Sequence, residues 1–505
     1  MEPFSLPYFY YGLCILLPII FHAIFFRGKA GPRLPPGPWQ LPLIGSLHHL
    51  LGKLPHHVMR DLSQRHGPLM QLRICERVAF VVSSAEIARE IFKGHGTAFE
   101  QRPTVSIIDD MYSEHGMSVM FSPYGEHWRQ LRRILVTELL GARRVEAFRR
   151  IREEEAARLV SLIASSPPGQ LVNVSELLAE FVADSAVRAI YGDRLPNRDV
   201  YLKTRETGTD FSAIFDLRDI FPSSRLLRML PRNKKGQRHF QEVSRIIDEI
   251  LRHREERSAA GDDGGGDQDM ISVLLRMQKD SSAVPAVSLS PGIIKSVVTE
   301  MFGGALDTTT ATLQWTMAEL MANPRAMEKA QLEIRRVLAG QERVQEAALG
   351  GMHYLKAVIK ETLRLHPPTA LVSRLCLQHG QKVQGYDVPH GTVIMTNVWA
   401  ISRDPKYWRD PDSFMPERFE GEGALDIGGS DFNFTPFGSG RRVCPGIDFS
   451  EANIQIALAS LLYHFDWELP PGVKEEGIDM TESFGVTAKR KAELLLHPIP
   501  RIAVV

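Results

Sequence analysis

The stretch from Ser290 to Pro324 sets the scale of whatever this chain folds into. Ser290 suits an N-cap, and Pro291 suits the first helical position, where its missing N–H costs nothing. Pro324 closes the run, because a helix interior does not tolerate proline. About 32 residues at roughly 1.5 Å each predict a helix about 48 Å long. Such a helix crosses a whole domain, so the rest of the chain must pack around it. Its centre reads Phe302-Gly303-Gly304-Ala305-Leu306-Asp307-Thr308-Thr309-Thr310. Glycine and β-branched threonine are poor helix formers. Placed mid-length, they lead us to expect local opening of the backbone bonds.

Elsewhere helical periodicity also dominates. Arg150 to Ile163 carries apolar residues at helical spacing and a Glu/Arg-rich outer face, and Ala85 to Phe92 reads as helix. Strand-like runs are few: 70–74 and 78–82 predict a short hairpin, and 393–398 another strand. The expected class is mainly α with small β-sheets (α+β). No repeat period is visible. Residues 258–269, with Gly264-Gly265-Gly266 and four aspartates, read as a surface loop. Lys+Arg and Asp+Glu both number 60, so no net charge draws the chain to nucleic acid. Cys14, Cys75, Cys376 and Cys444 are too sparse for a disulfide framework, which points to a reducing compartment.

Leu6 to Phe26 contains no Asp, Glu, Lys or Arg. As a helix it would rise about 31 Å, enough for a hydrocarbon core of roughly 30 Å. Glu2 stands where a cleaved signal would carry a base, so an anchor is expected instead. Arg27, Lys29 and Arg33 follow, which places the bulk of the chain on the cytosolic side. Leu34-Pro35-Pro36-Gly37-Pro38 cannot continue a helix and reads as a semi-rigid spacer. The expected division is an anchor over 1–27, a basic and proline-rich hinge over 28–40, and one large domain over 41–505.

The chemistry concentrates in Phe437-Gly438-Ser439-Gly440-Arg441-Arg442-Val443-Cys444-Pro445-Gly446. A helical pattern follows from Ile447 to Phe465. Cys444 therefore lies near a helix N-terminus, where unpaired N–H groups favour an anion, and Arg441 and Arg442 add positive charge. A thiolate, the metal-ligating form, is expected. The spacing F-x-x-G-x-R-x-C-x-G resembles the haem-ligand loop of the cytochrome P-450 superfamily. That resemblance implies haem b with Cys444 as the axial iron ligand, and a thiolate ligand favours O–O cleavage. It further implies that Gly440 and Gly446 let the backbone pass close to the macrocycle, that Phe437 belongs to the same loop, and that Arg442 pairs with a haem propionate.

The resemblance continues in order along the chain, closest to the plant microsomal branch. Gly304 to Thr308 resembles the oxygen-activating groove [AG]-G-x-[DE]-T, with Ala305 where the pattern has glycine. The match implies that Thr308 hydrogen-bonds dioxygen and that Asp307 helps relay protons to it. Glu361 and Arg364, with Arg418 of Pro416-Glu417-Arg418-Phe419, match a buried structural triad. Trp128 and Arg132 match W-x-x-x-R, two donors for a propionate, and Arg374 is a further propionate candidate. By family alignment the substrate pocket draws on Val105, Ile108, Phe211, Phe215, Met301, Gly304, Ala305, Ala370, Val372, Phe484 and Val486. They are nearly all apolar, which favours a terpenoid-like or aromatic substrate.

The chain contains no G-x-G-x-x-G opening a helix, so electrons must come from outside. The resemblance suggests a membrane-bound NADPH–haemoprotein reductase. Arg129, Arg133, Arg143, Arg144, Arg149 and Arg150 could form its docking face. The implied protein is a single-pass endoplasmic reticulum membrane enzyme that uses O2 to oxidise a small apolar metabolite in contact with membrane lipid. Two alternatives stay open: a reductase-independent hydroperoxide isomerase or dehydratase of the same fold, and a catalytically silent haem- or ligand-binding membrane protein.

Overall fold

A computed structural model describes residues 32–106, 108–109, 116, 119–194, 216–229, 234–259, 269–280, 289–421, 425–474, 477–483 and 485–502. The main elements are α1 (Pro55–His66), β1 (Leu69–Ile74), β2 (Arg77–Val82), α2 (Ala85–Arg89), α3 (Glu126–Ile134), α4 (Arg149–Ala164), α5 (Val174–Tyr191), α6 (Pro291–Ala322), α7 (His353–Leu365), β3 (Leu371–Cys376), β4 (Thr392–Asn397), α8 (Ile447–His464), β5 (Glu482–Ser483) and β6 (Lys489–Arg490). The chain is helix-rich with small sheets.

Helix α6 begins and ends as its caps dictate. Ser290 accepts a hydrogen bond from the Ile293 N–H at 3.3 Å, and Pro291 occupies the first turn. The helix is apolar on every side because it runs through the middle of the molecule. Phe302, Leu313, Trp315 and Leu320 are fully buried. Helices α5, α7 and α8 pack around it.

One four-stranded sheet lies beside this helical mass, in the order β1-β2-β4-β3. The β1–β2 hairpin is antiparallel, with Leu69 opposite Val82. Strand β4 then runs parallel to β2, with Val393 beside Ala79, and β3 returns antiparallel to β4. The third strand starts one residue earlier than its hydrophobic run suggests. Helix α2 gives way at Glu90 to a π turn, Glu90–Gly94, short of the continuous helix expected through Phe92.

Two sequence expectations change. The outer face of α4 is not all solvated: Arg152 and Glu155 are buried. Arg152 forms a bidentate pair with Glu346 at 2.6 Å and 2.6 Å, while Glu155 accepts from Arg188 and Arg194 at 2.7 Å each. A charged residue enters the core when a distant partner meets it, and periodicity does not report that partner. The proline-rich stretch is also fastened to the domain. The Gln71 N–H donates to the Pro36 carbonyl at 2.8 Å, the Asp387 N–H donates to the Arg33 carbonyl at 2.8 Å, and the Arg33 N–H donates to the Asp387 carboxylate at 2.8 Å. A Cβ on Gly37 would strike the Gln71 carbonyl.

Leu6–Phe26 lies outside the described residues. Among the described residues no helix is long and apolar enough to cross a membrane.

Candidate active site

The middle of α6 differs from its ends. Gly304 is exposed, and Gly303, Ala305, Asp307 and Thr308 are half-buried, although the turns on either side are sealed. A Cβ built on Gly304 would meet nothing within 4 Å. The helix therefore turns one face to a hollow that no neighbouring protein atom fills. The expected backbone opening is absent, and α-helix continues through the threonines. Thr308 Oγ1 donates to the Gly304 carbonyl at 2.8 Å, Thr312 Oγ1 to the Thr308 carbonyl at 2.9 Å, and Thr316 Oγ1 to the Thr312 carbonyl at 2.7 Å. Each hydroxyl satisfies itself on the preceding turn instead of prising that turn apart. Thr309 bonds across to the Ser450 hydroxyl of α8 at 3.0 Å.

The cysteine loop ends at the N-terminus of α8. Gly438 and Gly440 take left-handed φ values of 75° and 73°, which explains glycine at both. Among the protein's own atoms nothing crowds Gly440, where a Cβ would lie an ordinary 3.8 Å from Phe92. Gly446 has an ordinary φ of −99° and caps α8. Its N–H donates to Cys444 Sγ at 3.4 Å, and the Cys444 N–H donates to the Phe437 carbonyl at 3.0 Å.

The electrostatics of Cys444 differ from the sequence reading. Burial pushes its thiol above the ordinary range, against the pull of the Gly446 N–H, Arg132 and Arg102. Arg441 and Arg442 are turned elsewhere. Arg441 donates to the Gly96 carbonyl at 2.7 Å and to Glu100 at 3.2 Å. Arg442 donates to the carbonyls of Val119, Met120 and Ser122 at 3.2, 3.3 and 2.6 Å. Left alone, Cys444 stays a thiol; a coordinated cation deprotonates it.

Four guanidiniums share this neighbourhood: Arg102, Arg132, Arg374 and Arg442. Arg374 is 2% exposed. Burial, and then repulsion from Arg102 and Arg442, pushes it down to about 9, and Arg442 is pushed to about 10. Arginine does not give up its proton in proteins, so these shifts express buried positive charge that Glu100 and Glu300 only partly offset. Glu100 is bonded to Arg441, and Glu300 accepts the Met120 N–H at 3.0 Å. The Nε atoms of Arg102, Arg374 and Arg442 are buried without a hydrogen-bond partner among the described residues. Three orphaned donors beside a buried cysteine suit a ligand with two carboxylates, which is what haem presents at its propionate edge. Arg102 was missed in the sequence; a lone arginine before Pro103 carries no spacing signal.

Trp128 does not supply a free donor. Its indole N–H is bonded to the Val119 carbonyl at 3.0 Å, and its ring lies 4.8 Å from the Arg442 guanidinium. Arg132 Nη2 donates to the Val443 carbonyl at 2.6 Å, one residue before the cysteine.

Glu361, Arg364 and Arg418 come together. Arg364 donates to both Glu361 oxygens at 2.7 and 2.8 Å, and Arg418 Nε reaches Glu361 at 3.2 Å. Glu361 and Arg364 are fully buried.

The pocket residues divide. Met301 is buried, while Val105, Ile108 and Val372 are half-buried. Ala370 packs instead against Trp399, Ala400 and Ala488 in a small separate cluster. Val486 is 61% exposed, so it presents its side chain to open space. Phe211, Phe215 and Phe484 lie outside the described residues.

The basic face is partly neutralised. Arg129, Arg149 and Arg150 pair with Glu126, Glu146 and Glu154, each three or four residues away.

A family model described as Cytochrome P450 matches residues 35–496. The chain is 44% identical over 478 residues to "Zealexin A1 synthase" of Zea mays, covering 94% of each. It is 41% identical over 474 residues to "5-epiaristolochene 1,3-dihydroxylase" of Nicotiana tabacum, covering 93% of each. A zebra fish cytochrome P450 solved with progesterone superposes at a TM-score of 0.75 with 23% identity, over 89% of this chain and 100% of that one, which is a likeness of fold.

Proposed function

We infer the reaction from one premise: this chain belongs to the cytochrome P450 family. It is an oxidoreductase, a monooxygenase with haem held through a cysteine thiolate. Its substrate is a small apolar specialised metabolite, terpenoid-like in the manner of its plant relatives. Haem supplies O2 activation and the insertion of one oxygen atom into the substrate.

The chain's own groups take the following parts. Cys444 would ligate the iron through Sγ, the sulfur that accepts the Gly446 N–H. Arg102, Arg374 and Arg442 would hold the propionates, with Arg132 beside them. The observation that carries this assignment is the set of orphaned Nε donors around a single enclosed cysteine. Thr308 lies on the open face of α6, where rotation of its hydroxyl away from the Gly304 carbonyl delivers a proton into the hollow. Asp307, one residue before, resupplies it. Met301, Val105, Ile108 and Val372 line the apolar side and keep water out.

Residues 1–27 form the endoplasmic reticulum anchor, and the domain over 41–505 faces the cytosol. An NADPH–haemoprotein reductase donates electrons. The charge-free run Leu6–Phe26 with its basic flank, and the absence of any dinucleotide fingerprint, support this arrangement.

The test is the reduced, CO-bound difference spectrum of membrane-expressed protein beside Cys444→His. It is followed by turnover of sesquiterpene and diterpene hydrocarbons with reductase, NADPH and O2. A red-shifted Soret band lost in the variant, with an O2-dependent product, is expected. Haem-replete wild type without that band would overturn the ligand assignment. An intact band with no product from any terpene would overturn the substrate class.

A further inference from the structure

A second cluster of ligating side chains lies between α1 and the β5–β6 hairpin. His56 Nε2 is 2.7 Å from Glu482 Oε2, and His57 Nε2 is 3.4 Å from the same oxygen. All three donor atoms lie within 4.8 Å of one another. The His56 and Glu482 side chains are 6% and 7% exposed, and that of His57 is 38% exposed. His57 Nε2 is itself buried and makes no hydrogen bond among the described residues, although it is aimed at a carboxylate.

We propose that His56, His57 and Glu482 form a metal site, separate from the haem, that takes one late first-row divalent cation of the zinc class. Two imidazoles and a carboxylate are a ligand set that zinc accepts, with water completing the four. Bonds of about 2.0–2.1 Å at tetrahedral angles separate ligand atoms by roughly 3.3–3.4 Å. The His57–Glu482 spacing already has that value. The His56–Glu482 contact must open by roughly 0.6 Å, as the cation replaces the proton shared there and that proton leaves to solvent.

The surroundings hold the ligands in place. His57 stacks on Trp399 at 4.1 Å and 27°, and Asn397 Nδ2 donates to the His56 carbonyl at 2.8 Å. His366 Nδ1 lies 3.9 Å from the other Glu482 oxygen. Outer groups of this kind fix ligand orientation. The Arg403 guanidinium also acts on Glu482, but it is stacked 4.1 Å from the Trp399 ring and paired with Asp412 at 3.3 Å. A way in exists: His57 lines an open groove of about 520 Å3 together with His49, Lys53, Asp61 and Arg65. The bound ion would fasten the β5–β6 hairpin to α1.

The test uses the untagged, full-chain holoprotein in detergent, titrated calorimetrically with Zn2+, with thermal unfolding followed in parallel. One equivalent should bind, the unfolding temperature should rise, and the CO difference band should stay unchanged. His57→Ala, a partly exposed position, should weaken binding at least tenfold and abolish the thermal shift, while Glu482→Gln should act in the same direction. The stacked His379–His390 pair is the rival histidine site, so His379→Ala should change nothing. Absence of binding, equal binding in His57→Ala, or loss of binding in His379→Ala would each overturn the proposal.

Discussion

Removing the Glu361 carboxylate should cost more than any other single change to the ion pairs of this protein. Glu361 accepts four N–H bonds: Arg364 Nε at 2.7 Å, Arg364 Nη2 at 2.8 Å, the Met415 backbone at 2.8 Å and Arg418 Nε at 3.2 Å. Arg364 spends its remaining donors on the carbonyls of Ser402, Pro411 and Ser413 at 2.8, 2.6 and 3.1 Å. Neither side chain touches solvent. In Glu361→Ala the carbonyls still hold the guanidinium inside, now without its counter-charge. Breaking one side of a buried pair costs about 3–5 kcal/mol. That is a large share of the roughly 5–15 kcal/mol that keeps a domain folded. Glu361→Gln keeps the volume and one acceptor and should cost less, about 1.5–3 kcal/mol, the worth of bonds to a charged group. Adding Arg364→Met to it should recover part of the loss, because the unpaired charge then disappears. The exposed pair Lys329–Glu417 serves as a control, and Lys329→Ala should cost under about 1 kcal/mol. Urea midpoints and haem content of the purified variants measure all four. An unchanged midpoint with full haem occupancy in Glu361→Ala would refute the reasoning.

Three further outcomes are expected. Arg374→Met should stabilise the haem-free protein by about 1–3 kcal/mol, because an uncompensated buried cation is lost, and should speed haem transfer to an excess of a haem-scavenging apoprotein; an apoprotein no more stable than wild type would count against the orphan-charge argument. Thr308→Ala should lower product formed per NADPH consumed by on the order of 100-fold, leaving the urea midpoint nearly unmoved because only a back-bond to Gly304 is lost, and Thr308→Ser should restore coupling. Arg133→Glu should slow reduction by the reductase and flatten its dependence on salt; stopped-flow rates indifferent to both changes would exclude that face as the docking surface.

The features legible in the sequence are those whose cause is local. Ser290, Pro291 and Pro324 bound α6 because capping and proline sterics act within one turn. The β1–β2 hairpin follows from two short apolar runs either side of Cys75-Glu76. The Cys444 loop is legible partly for a similar reason, since Gly438 and Gly440 answer to left-handed φ values at their own positions. What escaped notice is assembled from afar. The family resemblance singles out Arg132, Arg374 and Arg442, but Arg102, which joins them from a separate segment, has nothing around it in the sequence to mark it as buried. Arg152 reads as surface because its partner, Glu346, lies 194 residues away. A still longer separation, 426 residues, hid His56 from Glu482. Trp128 passed as a free donor although the Val119 carbonyl, only nine residues earlier, accepts its N–H, because that contact depends on an irregular turn with no spacing signal.

The fastening of the proline-rich segment bears on where this enzyme searches for its substrate. Arg33 is tied to Asp387 and Pro36 to Gln71 of β1, so the first such tie comes about seven residues after Phe26, at most roughly 24 Å of fully stretched chain. If residues 1–27 lie in the bilayer as proposed, the catalytic domain would be held close to the lipid surface. An apolar metabolite dissolved in that lipid would then arrive by lateral diffusion in two dimensions, as would a reductase held in the same membrane. Gly37 guards the second of these ties: a side chain there cannot coexist with the Gln71 carbonyl, so Gly37→Ala would release Pro36 from Gln71 while the Arg33–Asp387 tie still sets the reach of the chain.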